Sequence, residues 1–166
     1  MKRVIELLIV WYVCTAAAQA DDQVLAAINE EIWRPFTQSY LDTDGPTYTS
    51  LFHPETVRVS LGSGRVNSGQ GYINRVLANF TRRKDQGHKG DDIQFRFLKR
   101  FHNADSAYET GVFQIGPVGS DRRNYGSFSV VLKKHAGRWK ILFDSDQAAD
   151  QAAWDAAPIR LEGDDG

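Results

Sequence analysis

The chain has 166 residues, 42% hydrophobic and 25% charged, with 20 basic against 21 acidic residues and a single cysteine. Those values suit one globular domain with an ordinary core. They exclude a disulfide scaffold, and the near-neutral balance gives no support to nucleic-acid binding or to steering toward a membrane surface.

The first twenty residues read as an export leader. Lys2 and Arg3 form a basic start, Val4 to Cys14 an apolar core interrupted by Glu6, and Ala16-Ala17-Ala18-Gln19-Ala20 a small-residue cleavage site. An apolar run of about eleven residues is too short to span a bilayer. Cleavage after Ala20 removes Cys14, so the exported chain has no thiol, and it leaves 18 basic and 20 acidic residues. The expected location is periplasmic or extracellular, with no membrane attachment after cleavage.

Asp21 or Asp22 opens a first helix whose stripe is Leu25, Ile28, Ile32, Phe36 and Tyr40, with Trp33 alongside. Pro35 removes a hydrogen bond to the carbonyl of Glu31 and predicts a kink or break. The helix ends near Asp42-Thr43-Asp44-Gly45, and Pro46 opens a short second helix through Tyr48, Leu51 and Phe52. Val57 to Leu61 alternates as a strand and turns at Gly62-Ser63-Gly64 into Arg65-Val66-Asn67. Ser68 caps a third helix carrying Ile73, Val76, Leu77 and Phe80. The cluster Arg82-Arg83-Lys84, with His88 and Lys89, is interleaved with Asp85, Asp91 and Asp92 and reads as a solvated loop.

Four strands follow, at about 93–102, 106–115, 123–134 and 138–146. In the first pair, Phe101 is expected opposite Tyr108, Arg100 opposite Glu109 and Phe97 opposite Val112. In the second pair, Ala136-Gly137 forms a two-residue loop that sets Lys134 against Trp139, Leu132 against Ile141, Val130 against Phe143 and Phe128 against Ser145. That register gathers the aromatic side chains on one face and sends Asp144 and Asp146 to the other. The expected domain is 21–146, followed by a tail over 147–166 in which Trp154 is a docking residue and the end, Glu162 to Gly166, is mobile. The sum is an α+β layout, with three N-terminal helices on one face of a curved antiparallel sheet.

Several residues carry the chemistry that such a layout permits. Asp144, at a strand end, is a candidate general base if a bulge turns it inward. His53 is a candidate proton carrier, although His53-Pro54 also reads as a turn. Glu109 is expected in a cross-strand ion pair with Arg100. Trp33, Phe36, Tyr40 and Tyr48 are candidates to line an apolar pocket, the two phenols needing partners if buried. His53, His88, His102 and His135 never fall at zinc-ligand spacing, and no nucleophile elbow or phosphate-binding glycine loop occurs. No metal and no cofactor is expected. Asn79-Phe80-Thr81 matches a glycosylation sequon within the third helix.

Ile32-Trp33-Arg34-Pro35-Phe36 with Tyr40, then Tyr48-Thr49-Ser50-Leu51-Phe52 and Gly69, are followed by Tyr108-Glu109-Thr110-Gly111, Tyr125-Gly126-Ser127-Phe128 and Gly137-Arg138-Trp139-Lys140-Ile141 with Asp144. In that order and spacing, over about residues 22 to 146, the chain resembles the nuclear-transport-factor-2-like (NTF2-like) superfamily, in its SnoaL-like, ketosteroid-isomerase-like and domain-of-unknown-function-4440 branches. The resemblance implies a cone-shaped α+β barrel, usually dimeric, with an apolar pocket. It also implies a choice of roles, since some members isomerise steroids, cyclise polyketides or hydrolyse epoxides and others bind or scaffold without a reaction. The function expected here is an exported domain binding a small hydrophobic molecule. The alternatives are an isomerase, cyclase or hydrolase using Asp144 as base, His53 as relay and Tyr40 as oxyanion donor, or a structural homodimer centred on Val131 and Leu142 of the outer face. Val57 to Leu61 offers no carboxylate, which weighs against steroid-isomerase chemistry.

Overall fold

Pro35 does not break the first helix. In the computed structural model, which describes residues 22–160, helix α1 runs without interruption over 22–42. Its middle turn, Asn29–Trp33, is π-helical, and the Arg34 N–H donates to the carbonyl of Asn29, five residues back. The wider turn just before Pro35 absorbs the missing donor and the bulk of the ring. It also rotates Asn29, Ile32 and Trp33 together into the interior, where all three are buried. Thr43, in the left-handed conformation, ends α1. Asp44 caps α2 (Gly45–Ser50), accepting from the Thr47 N–H at 3.1 Å.

Strand β1 (Phe52–Ser60), a turn at Leu61–Ser63 and β2 (Arg65–Ser68) lead into α3 (Gly69–Asp85). The long strands β3 (Asp91–His102), β4 (Ser106–Pro117), β5 (Asn124–His135) and β6 (Arg138–Ala149) then form an antiparallel meander. The sheet order is β2-β1-β6-β5-β4-β3-β7, with β1 parallel to β6. Ala136 and Gly137 both have positive φ, so the β5–β6 loop is the two-residue turn that the spacing predicts.

The chain beyond Asp146 extends the packed unit past the expected boundary. β6 continues to Ala149, helix α4 (Gln151–Ala156) follows, and β7 (Ile159–Arg160) pairs with β3. Trp154 is the dock: it buries against Val112, the Arg96 guanidinium stacks on its ring at 4.3 Å, and Arg96 Nη1 donates to its carbonyl at 2.7 Å. The leader expected over 1–20 and the end at Glu162 to Gly166 lie outside the described residues. Among the described residues no helix is long and apolar enough to cross a membrane.

Two β-bulges correct the expected registers. In β3, Phe97 pairs with Gly111 and Lys99 with Thr110, so Leu98 is the extra residue. Phe97 therefore faces Gly111 rather than Val112, while the Arg100–Glu109 and Phe101–Tyr108 pairs stand as expected. Gly111 is required here, because a Cβ would lie 2.1 Å from the Arg96 carbonyl and 2.7 Å from the Phe128 ring. In β6, Leu132 pairs with Ile141 but Val131 with Phe143, so Leu142 is the extra residue. Val130 then meets Asp144 and Phe128 meets Asp146, not Phe143 and Ser145. Beyond the bulge every side chain has changed face. Phe143 joins Val131 on the outer side, and Asp144 and Asp146 turn to the concave side with Trp139 and Ile141.

The helices close over that concave side. Trp33 sits at its centre, with ring centroids 4.7 Å from Phe95, 5.1 Å from Phe97 and 5.3 Å from Phe128. Trp139 and Ile141 are each 1% exposed, so the aromatic face of the hairpin is core.

Candidate functional site

A cavity of about 230 Å³ remains between α1, α2 and the concave sheet. Trp33, Phe36, Tyr40 and Tyr48 enter from the helices, and Phe95, Phe113 and Phe128 from the sheet. All four residues expected from the sequence to line a pocket do line this one. Phe36 and Tyr40 stack at 5.4 Å, with Tyr48 edge-on to both.

One end of the cavity is ionic. Arg58 on β1 and Asp144 on β6 are register partners across the parallel pair, so both side chains leave the sheet on the cavity side. Arg58 Nη1 bonds Asp144 Oδ2, and Nη2 lies 2.6 Å from Asp146 Oδ2. Burial disfavours the charged Asp144 carboxyl and raises its pKa above the ordinary 3.8, with Arg58 pulling the other way. Burial also works against the Arg58 guanidinium, but the surrounding charges, Asp144 foremost, outweigh it and hold its pKa above its ordinary value. Tyr40 and Tyr48 are pushed up by burial as well, so both phenols stay neutral and able to donate a hydrogen bond.

The arrangement offers three kinds of contact: aromatic faces, two phenol groups and a buried carboxylate held by a guanidinium. A carboxyl with a raised pKa is also a better proton acceptor than an ordinary one. Arg58 is a site residue that the sequence pattern does not single out. A charged residue between Val57 and Val59 is the signal that could have marked it, but its partner depended on the parallel β1–β6 pairing.

The other expected site residue is elsewhere. His53 does not line the cavity: it packs edge-on to His135, with ring centroids 4.6 Å apart, and its Nδ1 accepts from the Glu55 N–H at 3.1 Å. His53-Pro54 lies within β1 rather than in the expected turn, but Pro54 has no N–H for the ladder and β1 is irregular against β6 between Phe52 and Val57. Glu109 is fully buried behind the aromatic wall, accepting from Arg100 Nε at 2.7 Å and from the Trp33 indole at 2.6 Å. Arg100 Nη2 also bonds Asn29 Oδ1 at 2.7 Å, so this pair fixes Trp33 and the π-turn to the sheet. Of the basic cluster, Arg82, Arg83 and Lys84 form the last turn of α3 rather than a loop, and Arg83 and His88 pair with Asp91, while nearby Arg123 pairs with Asp92. No group of three or more metal-ligating side chains occurs among the described residues.

No protein-family model matches the chain, and no curated protein matches it. Solved structures do. An NTF-2-like protein of unknown function from Shewanella oneidensis superposes with a TM-score of 0.59 at 15% identity, covering 77% of this chain and 98% of that one. An NTF2-like protein with a cystatin-like fold from Novosphingobium aromaticivorans gives 0.61 at 12% identity, covering 85% and 93%. A ketosteroid isomerase-like protein from Erwinia carotovora atroseptica gives 0.56 at 13% identity, covering 76% and 96%. The fold is NTF2-like, and at these identities the likeness speaks for the fold alone.

Proposed function

We propose that this NTF2-like domain binds a small, largely apolar molecule in the aromatic cavity, with the ligand's polar group against Arg58, Asp144 and Asp146. The observation that carries the reading is the cavity itself, whose aromatic wall ends in a buried carboxylate–guanidinium pair. Its volume of about 230 Å³ falls below the roughly 300–1,000 Å³ of drug-sized sites, which favours a ligand smaller than a steroid. Export through the 1–20 leader and a homodimer formed through the outer sheet face complete the proposal.

A thermal-shift screen of small lipophilic alcohols, ketones, amines and acids tests it. A compound at a hundred times its Kd should stabilise the fold by about 2.7 kcal/mol, because only the native state binds it. No shift from any chemical class at saturation would remove the cavity as a binding site.

A second reading, catalysis by proton transfer, is favoured by the placement of Asp144 and Tyr40 in one cavity. Asp144 would act as base and Tyr40 as donor to a developing oxyanion. His53 has no part in it. Conversion of a bound compound that survives in Asp144→Asn would remove Asp144 from the mechanism, and no conversion by the unaltered protein would leave binding as the whole function.

A further inference from the structure

We infer that the ligand is cationic: a small organic ammonium with an apolar body. This rests on the reading of the cavity as a ligand site and narrows the class of molecule that fits it.

Charge is the first argument. Arg58 is the cavity's cationic side chain, and it faces two carboxylates, Asp144 and Asp146. Its two terminal nitrogens are both engaged, Nη1 with Asp144 and Nη2 with Asp146. With both carboxylates ionised, one guanidinium opposes two negative charges and an excess negative charge remains at the end of an apolar cavity. Asp144 is only 4% exposed, and the hydrogen bond from Arg58 falls on its Oδ2. An uncompensated negative charge beside an apolar cavity is costly and favours a positive group there. An anion would instead meet two carboxylates and a guanidinium whose fork is already taken.

The wall makes the second, independent argument. Seven aromatic side chains line the cavity. The face of each ring carries the negative part of its quadrupole, so a ring-lined enclosure attracts a cation, most strongly where water is excluded. The two phenols remain uncharged and give the ligand neutral hydrogen-bonding partners. A quaternary or alkylated ammonium matches both features, because its charge is spread over methyl groups that pack on rings. A compact metal ion matches less well, since among the described residues no group of three or more metal-ligating side chains occurs and Arg58 already engages both carboxylates.

Three probes of nearly the same shape separate charge from size: choline, its neutral isostere 3,3-dimethylbutan-1-ol, and the anion 3,3-dimethylbutanoate. Chemical-shift titration of the full chain should find choline at least about tenfold tighter than the neutral alcohol, given the usual strength of a desolvated cation–ring contact. Asp146→Asn should remove most of that preference, weakening choline far more than the alcohol. Asp146 is the more exposed of the two acids, at 28% of its side chain, so the substitution spares the core. Equal or tighter binding of the alcohol would overturn the cationic class and leave the cavity reading standing. Tightest binding of the anion would overturn it in favour of Arg58 as the recognition element. If none of the three binds, while another compound shifts the fold, the inference fails alone. If nothing binds at all, both fail.

Discussion

Arg100→Met is expected to destabilise the protein by about 3–5 kcal/mol, because it leaves Glu109 buried without its counter-charge. The Arg100 and Glu109 side chains are 9% and 1% exposed, so water cannot replace the lost partner. Burial already raises the Glu109 pKa above its ordinary 4.5 while Arg100 pulls it down, and removing that pull pushes it further up. The loss reaches the site, since Glu109 also holds the Trp33 indole and Arg100 holds Asn29 in the π-turn. The double variant Arg100→Met/Glu109→Leu removes both charges and should regain most of the loss. Urea unfolding of the two variants checks this. A single-variant loss below about 1 kcal/mol would mean that the pair does not hold α1 to the sheet.

Arg58→Met should produce a loss that depends on pH. Without the guanidinium, burial and Asp146 act unopposed on Asp144, whose pKa rises further above 3.8. The folded state then keeps the Asp144 proton to higher pH than the unfolded chain does. Stability therefore falls as pH rises from about 3.8 through the raised folded value and levels off above it. Above that window the expected loss is about 3–5 kcal/mol, and within it the loss shrinks by about 1.4 kcal/mol per pH unit on acidification. Adding Asp144→Asn should flatten the profile. Unfolding midpoints of Arg58→Met from pH 4 to pH 8 that run parallel to wild type would contradict a buried Asp144.

Most of the architecture could be read from residue patterns because it rests on local rules. Spacing at 3.6 residues marked Ile28, Ile32 and Phe36, Asp44 and Pro46 marked the start of α2, and Ala136-Gly137 fixed a hairpin that holds from His135–Arg138 through Leu132–Ile141. The register failed where one residue was inserted. Leu142 and Leu98 are apolar residues in apolar strands, and nothing about either marks a bulge, yet each reverses the faces of everything beyond it. Hence the four aromatic and tyrosine wall residues were accessible from the helix pattern. An uninterrupted register sends Asp144 and Asp146 to the outer face, and nothing local to β1 pairs Arg58 with them. The π-turn was hidden for a similar reason: Pro35 announces a disturbance, but the packing of Trp33 and Asn29 on Arg100 and Glu109 decides its form.

Titration of the Asp144 carboxyl carbon by NMR, with and without a bound probe, examines the central claim most directly. If the bulge at Leu142 turns this side chain into the cavity, its pKa lies above 3.8 and its resonance shifts when a ligand enters. A midpoint at or below 3.8, unmoved by any compound that stabilises the fold, would place Asp144 on the outer face of the sheet and leave the cavity without its ionic end.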